Sequence, residues 1–246
     1  MSKESLSEKV AIVTGAAQGM GKSIAEALVK EGANVVICDI NEDKIMSTAD
    51  ELNAYGIMVD VTNEENVQSM VQTVIGKYGT VDILVNNAGI LRPTRIDNIT
   101  KTEWDLVLDV NLNGTFLCTK AVLSTMKEKK FGRIINMSSS AGRSVSTLGG
   151  AHYTAAKAGV LGLTRAVAKE VAPYGITANA ICPGLIDTEM VRSDCSVDQI
   201  KAYENSFPIC RLGTPEEVGD LVIFLSTAAD YITGASIDIN GGDLMI

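Results

Sequence analysis

The sequence predicts an α/β protein: a doubly wound, seven-stranded parallel sheet with helices on both faces, in a single domain over residues 1–246. Short β-branched runs alternate with longer stretches of helical period from one end to the other, the pattern of parallel strands joined by crossover helices. No linker divides the chain, and 246 residues suffice for one large core. With 46% hydrophobic and 21% charged residues, the composition is that of a compact protein rather than a disordered one.

The elements follow in order. "KVAIVTG" reads as the first strand, and "GKSIAEALVKEG" as a helix that stops at Gly32. "NVVICDI" is a second strand, followed by a helix to about Asn53 and a brief strand in "GIMVD". Thr62 and Glu65 have the spacing of a capping box and predict a helix ending near Gly79. "VDILVNNAG", "GRIINMSS" and "ITANAICPG" are the fourth to sixth strands, separated by long helices over about 102–130 and 152–174. Thr214, Pro215 and Glu217 supply an N-cap, a first-turn proline and a capping-box acid for a helix through "PEEVGDLVIFLSTAAD", and "ASIDIN" closes the sheet. Residues 185–213 fit no regular element, and a long irregular segment in a compact domain is expected to be a functional lid.

The net charge of −9 disfavours nucleic acid as a partner, because phosphates demand a clustered basic surface and the only basic run is "KEKK". No apolar run approaches the roughly 18 residues of a membrane helix, and "MSKESLSEKV" lacks a signal-peptide core, so a cytoplasmic location and no membrane association are expected. Cysteines 38, 118, 182, 195 and 210 form no C-x-x-C pair, have no histidine cluster near them and are odd in number. They read as small buried residues in a reducing compartment, with no metal site expected.

"TGAAQGMG" lies between the first strand and the first helix. Gly15, Gly19 and Gly21 permit a tight turn and close backbone approach, with Gln18 and Met20 between them, and the helix N-terminus presents unpaired N–H groups to a pyrophosphate. The G-x-x-x-G-x-G spacing departs from the commoner dinucleotide fingerprint, so by itself it fits a plain strand-to-helix turn equally well. Asp39 adds a second signal: it ends the second strand about 20 residues downstream, where a carboxylate can bind both adenosine ribose hydroxyls. A 2′-phosphate there would meet repulsion on the order of 4 kcal/mol per unit charge at about 4 Å before screening. Ala16, Ala17, Gln18, Ile40 and Asn41 offer no cation to reverse that preference, so NAD is expected over NADP.

"TGAAQGMG", "DVT" at residues 60–62, "NNAG" at 86–89, Asn111, the serine run 138–140, "YTAAK" and "PGLIDT" occur in the order and rough spacing of the classical short-chain dehydrogenase/reductases. The resemblance extends to the terminal "ITGASIDINGG" and thus covers nearly the whole chain. It implies a Rossmann-like domain, a nicotinamide cofactor and a homotetramer. It also implies that Ile40, Asp60 and Val61 lie near the adenine, that Asn87, Ala88 and Gly89 line the adenosine side, and that Pro183, Gly184, Ile186 and Thr188 hold the carboxamide end.

Tyr153 and Lys157 are four apart on a helix and share a face. A tyrosine acting as a base near neutrality needs its pKa lowered by about 3 units, roughly 4 kcal/mol, which an ammonium at about 4 Å can supply. Taken alone, such a pair is more often packing plus a snorkelling amine. The resemblance implies Tyr153 as general acid/base, Lys157 as its electrostatic partner and ribose ligand, Ser139 as hydrogen-bond partner of the substrate oxygen, and Asn111 as holder of a water relay to Lys157. Counting along the strand from Gly132 selects Ser139, whereas counting back from Tyr153 selects Ser140; the strand is the more rigid reference, so Ser139 is preferred. His152, the only histidine, points about 100° away from Tyr153 on the helix and is expected to have no proton chemistry.

Leu91, Ser139, Val145, Leu148, Leu185 and Met190, with Phe207, are expected to wall a largely apolar substrate pocket, and Arg92 and Arg143 could meet an anionic group. The expected function is hydride transfer between NAD(H) and a secondary alcohol or ketone. The alternatives are a 3-oxoacyl-[acyl-carrier-protein] reductase using NADPH and an NAD-binding sensor without turnover. "RLGTPEEVGDLVIFL" resembles the former; Asp39 counts against it, as does Tyr174, which occupies one of the two cationic carrier-docking positions the resemblance implies, Lys130 fitting the other.

Overall fold

The computed structural model describes residues 5–246, the side chain of Asp194 excepted; the first four residues of the polar N-terminal stretch lie outside the described residues. Seven parallel strands form one sheet in the order β3-β2-β1-β4-β5-β6-β7. They are β1 (Val10–Thr14), β2 (Asn34–Asp39), β3 (Tyr55–Met58), β4 (Ile83–Asn86), β5 (Gly132–Met137), β6 (Ile176–Pro183) and β7 (Ser236–Ile239). The helices are α1 (Gly19–Lys30), α2 (Glu42–Leu52), α3 (Glu64–Tyr78), α4 (Lys101–Leu108), α5 (Gly114–Lys129), α6 (Ser140–Arg143), α7 (Ala151–Val171), α8 (Glu189–Asp194), α9 (Val197–Ser206) and α10 (Pro215–Thr227).

Period-two alternation divides the strand residues between two cores. Ala11, Val13, Val35, Ile37, Ile83 and Val85 face α1, α2 and α10, whereas Val10, Ile12, Val36, Cys38 and Leu84 face α3, α5 and the end of α7. Both sheet faces are therefore covered, as a parallel sheet requires. Burying two such faces drives the fold, each large apolar side chain contributing about 1.5–3 kcal/mol. Strand order reverses between β1 and β4, and the crevice beyond the carboxyl ends of these strands is where ligands bind in this architecture. Behind that crevice Asn86 donates to Asn136 Oδ1 at 2.8 Å and Asn136 donates to Thr164 at 2.9 Å, pinning β4, β5 and α7 together.

Four expectations change. The N-cap of α3 is Asn63, which accepts from Asn66 N–H, while Thr62 instead donates its hydroxyl to Asp60 in the preceding turn. The helix expected over 102–130 is two helices joined by a π-turn, Asp109–Asn113, which holds Asn111. The second long helix gives way to a 3-10 turn, Ala172–Tyr174, where Pro173 cannot donate into an α-helical ladder. Residues 185–213 are not irregular: they contain α8 and α9, and α9 opens on a capping box between Ser196 and Gln199. The capping box between Thr214 and Glu217 forms at α10 as expected.

The continuous helical run Lys101–Lys129 is apolar and long enough by composition to cross a membrane. Here it packs on α3 and α7, burying Cys118, Val122 and Met126 in a core beneath the sheet.

Candidate active site

The carboxyl ends of β1, β2, β4 and β5 open onto one cavity of about 490 Å³. Its first wall is the glycine loop, where Gly15, Gln18, Gly19, Met20 and Gly21 all face the space. Gly15 has φ +63°, and a Cβ there would stand 2.7 Å from Ala88 Cα; one on Gly21 would collide with the Gly15 carbonyl. Only glycine lets the loop lie this close to the end of β4, leaving its backbone open to a ligand. Asn87 fastens the two loops, donating from Nδ2 to the Thr14 and Gly15 carbonyls at 3.0 and 2.9 Å.

Asp39 closes one end of the cavity, with Ile40, Asp60 and Val61 beside it. Its carboxylate accepts Ala17 N–H at 3.2 Å and Asn41 N–H at 3.1 Å, so it is oriented before any ligand arrives. Lys44, which the sequence argument did not weigh, reaches over from α2 to donate to Gln18 Oε1 at 2.5 Å. Asp60 accepts from both the backbone and hydroxyl of Thr62, a turn that sets the adjacent wall.

The other end holds Asn111, Tyr153 and Lys157, with Ala88 and Gly89 between them and the loop. Lys157 is buried and donates to the Met137 carbonyl at 2.8 Å, and burial lowers its ammonium to about 8. Its Nζ lies 5.7 Å from the centre of the Tyr153 ring. Burial raises the Tyr153 phenol, and a hydrogen bond with Ser139 pulls the other way. The expected lowering of Tyr153 by Lys157 is not a property of the chain alone: burial raises the phenol, and the lysine donates instead to the Met137 carbonyl. Asn111 Nδ2 donates to the Ile90 and Val107 carbonyls, each at 2.9 Å. Its Oδ1 is buried without a partner among the described residues and would stand 2.7 Å from a Cβ on Gly89, with Lys157 Nζ 3.4 Å from the same point. An unmet acceptor beside a buried ammonium leaves hydrogen-bonding capacity for a polar group at this end of the cavity.

Of the two serines weighed, Ser139 meets Tyr153, while Ser140 is the first residue of α6. Ser139 is the N-cap of that helix, accepting from Ala141 N–H at 3.1 Å. Ser138 turns inward to the Lys157 carbonyl, so strand alternation stops where β5 ends.

Leu91, Met190 and Thr188 line the cavity, but Ser139, Val145, Leu148 and Leu185 do not, Ser139 reaching it only through its hydrogen bond with Tyr153. Leu148 and Leu185 pack with Val191, Phe207 and Leu212 in the small core of the segment over 185–213, and Val145 is 75% exposed. Pro183, Gly184 and Ile186 stand behind the wall: the Ile186 side chain is in the main core, and Gly184 donates to Ile239. Arg143 is held by Asp238 at 3.4 Å and the Ser236 carbonyl at 2.8 Å and cannot meet a substrate anion, whereas Arg92 stands exposed at the cavity. Leu106 and Val110, four apart on one helical face, line the cavity and were not foreseen; their i, i+4 spacing ahead of Asn111 was the available signal. No group of three or more His, Cys, Asp or Glu side chains that could hold a metal exists among the described residues.

A family model described as enoyl-(acyl carrier protein) reductase matches residues 15–243. The 3-oxoacyl-[acyl-carrier-protein] reductase of Vibrio cholerae is 42% identical over 244 residues, 98% of this chain and 99% of that protein. The (2S)-[(R)-hydroxy(phenyl)methyl]succinyl-CoA dehydrogenase subunit of Thauera aromatica is 39% identical over 251 residues, 96% of this chain and 97% of that protein. Among solved structures, the 3-oxoacyl-[acyl-carrier protein] reductase of Brucella melitensis superposes with a TM-score of 0.91 at 34% identity, covering 98% of this chain and 93% of that one. The crystal structure of gox2181 superposes with a TM-score of 0.93 at 37% identity, covering 97% of this chain and 96% of that one. With this sheet order, this crevice and relatives matched along nearly their full length, the chain belongs to the short-chain dehydrogenase/reductase family of oxidoreductases.

Proposed function

We propose that the protein interconverts a 3-oxoacyl thioester and its 3-hydroxy form with NAD(H), the reading that combines this site with the names of its relatives. It narrows the broader expectation of a secondary alcohol and ketone, and it adopts the substrate of the alternative weighed from sequence. The observation that carries it is the meeting of Tyr153, Lys157 and Asn111 at one end of a cavity whose other end is Asp39, with Ser139 hydrogen-bonded to Tyr153 behind that end.

The residues fit a dinucleotide: the glycine loop, fastened by Asn87, cradles its phosphates, Asp39 takes the adenosine ribose, and Lys157 takes the nicotinamide ribose. The cofactor supplies the hydride chemistry. In the reductive direction Ser139 donates a hydrogen bond to the substrate carbonyl oxygen, and Tyr153, kept protonated by burial, delivers the proton to that oxygen. Lys157 and a relay held at Asn111 Oδ1 return a proton to the phenolate. Leu91 and Met190 give the acyl chain an apolar wall, and the segment over 185–213, with its own small core, acts as a lid within a single domain.

Asp39 supports NAD(H), because its fixed carboxylate opposes a 2′-phosphate and Lys44 is engaged by Gln18. Initial rates of acetoacetyl-CoA reduction should be at least about tenfold higher with NADH than with NADPH, the ratio that about 1.4 kcal/mol of discrimination gives. Faster turnover with NADPH would overturn the cofactor assignment. Inactivity on acetoacetyl-CoA beside NAD-linked oxidation of simple secondary alcohols, diols, polyols or hydroxysteroids would overturn the thioester. The family resemblance also implies a homotetramer. Light scattering should return four times the 26.0 kDa chain mass, and a monomeric mass would refute that assembly.

A further inference from the structure

His152 is the one imidazole in the chain, and the mechanism above leaves it unused. Its side chain is fully buried at the start of α7. Nδ1 accepts the backbone N–H of Tyr153 at 2.9 Å, and Nε2 lies 2.9 Å from Glu103 Oε1. A ring nitrogen that accepts a backbone N–H has no proton of its own, so in the neutral ring the proton is on Nε2 and is donated to Glu103. The carboxyl of Glu103 also takes a hydrogen bond from the Thr94 side chain; this bond first, and then that of His152, hold it below the usual carboxylate range.

These contacts join three segments of the site. Thr94 belongs to the loop after β4 that carries Leu91, and the same loop accepts Gly150 N–H at Arg92 O, 2.8 Å. Glu103 is on α4, eight residues ahead of Asn111, which sits in the π-turn that follows this helix. His152 is on α7 with Tyr153 and Lys157. Gly150 allows the approach, since a Cβ there would collide with the Thr94 carbonyl and come 2.9 Å from His152 Cε1.

We propose that His152 and Glu103 form a positioning pair that sets the place of Tyr153 relative to Asn111 and the substrate wall, without touching substrate or cofactor. The inference rests on the reading of Tyr153 as the proton donor. The pair acts through geometry, and a displacement of about 1 Å at a reacting group can cost on the order of a hundredfold in rate.

The test uses the full-length protein, assayed by NADH-dependent reduction of acetoacetyl-CoA and by NAD-dependent oxidation of the secondary-alcohol panel, with kcat and KM separated. His152→Ala and Glu103→Ala should each lower kcat by about tenfold to a hundredfold. The KM for the nicotinamide should stay within about twofold in both, because binding is assigned largely to the glycine loop and Asp39 on other strands. The double variant should be no slower than the slower single one, since both remove the same link. His152→Gln, whose amide can stand where Nε2 stood, should recover most of the rate. His152→Asn, which can accept the Tyr153 N–H but cannot reach Glu103, should stay slow.

Rates within about twofold of the parent in both alanine variants, losses that multiply in the double variant, or recovery by Asn and not by Gln would each overturn the pair. If His152→Ala does not fold, Glu103→Ala decides by the same kcat and KM criteria. Tyr153→Phe is assayed alongside: its continued turnover would sink the catalytic reading itself, whereas an inactive Tyr153→Phe beside full-speed His152 and Glu103 variants would sink only the positioning pair.

Discussion

Tyr153→Phe should lose turnover by on the order of 10²- to 10⁴-fold while binding NADH with an affinity within about twofold of the parent. The substitution deletes one oxygen. The ring keeps its place beside Gly149, where a Cβ would come 2.9 Å from Tyr153 Cδ1 and which therefore has to be glycine for the loop to pass. What is lost is the proton donor and its bond with Ser139. Burial raises the parent phenol, so reduction should hold across neutral pH and fail only as the hydroxyl ionises on the alkaline side. Fluorescence titration of NADH and steady-state reduction on the same preparation separate binding from chemistry. Retained turnover in the variant would refute the proton transfer proposed here, and an inactive parent that still binds NADH would favour a sensor over an enzyme.

The sheet was legible because each strand is short, apolar and bounded by a glycine or a helix of clear period. "KVAIVTG" and "NVVICDI" give their strands to within about two residues at each end. The site was legible where a residue type has one physical use, as with Gly15 at φ +63° and Asp39 at the end of β2. It failed where the fold turns a side chain away from the place its loop suggests. Leu148 and Leu185 are apolar residues flanking the cavity, yet Ile200, Tyr203 and Phe207, spaced as one helical stripe, draw them into a separate core. That stripe and the S-x-x-Q cap at Ser196 were readable as a helix, but the stretch is polar enough to pass for a loop. The π-turn has no sequence signature of its own. What accompanies it is tertiary: Asn111 Nδ2 bonds the Ile90 carbonyl of the loop after β4 as well as Val107 on its own helix. The direction of His152 on an ideal helix says nothing of its bond to the Tyr153 backbone N–H or of Glu103 on another element.

Lys157→Met should remove most turnover, on the order of a hundredfold or more, and should also change how stability depends on pH. Lys157 is 4% exposed, and burial brings its ammonium from 10.5 to about 8. Below pH 8 the folded and unfolded chains both carry the proton, so the cost of burying the charge is fully present. Between about 8 and 10.5 the folded chain has released the proton and the unfolded chain still holds it. The unfolded state then binds more protons and stability rises with pH, by about 3 kcal/mol over the whole window. The buried thiols Cys118, raised to about 12, and Cys182, raised to about 11, act in the opposite sense above pH 9, and both variants contain them. Urea unfolding at intervals from pH 7 to 10.5 should show the parent gaining on Lys157→Met across this window, with the difference levelling off above it. Parallel curves for the two proteins would mean that the ammonium is not under this strain. A parent that instead lost ground to the variant with rising pH would mean that the folded site holds the lysine charged more firmly than water does. In either case Lys157 could not act as a readily released proton store beside Tyr153, and its part in the site would reduce to binding the ribose.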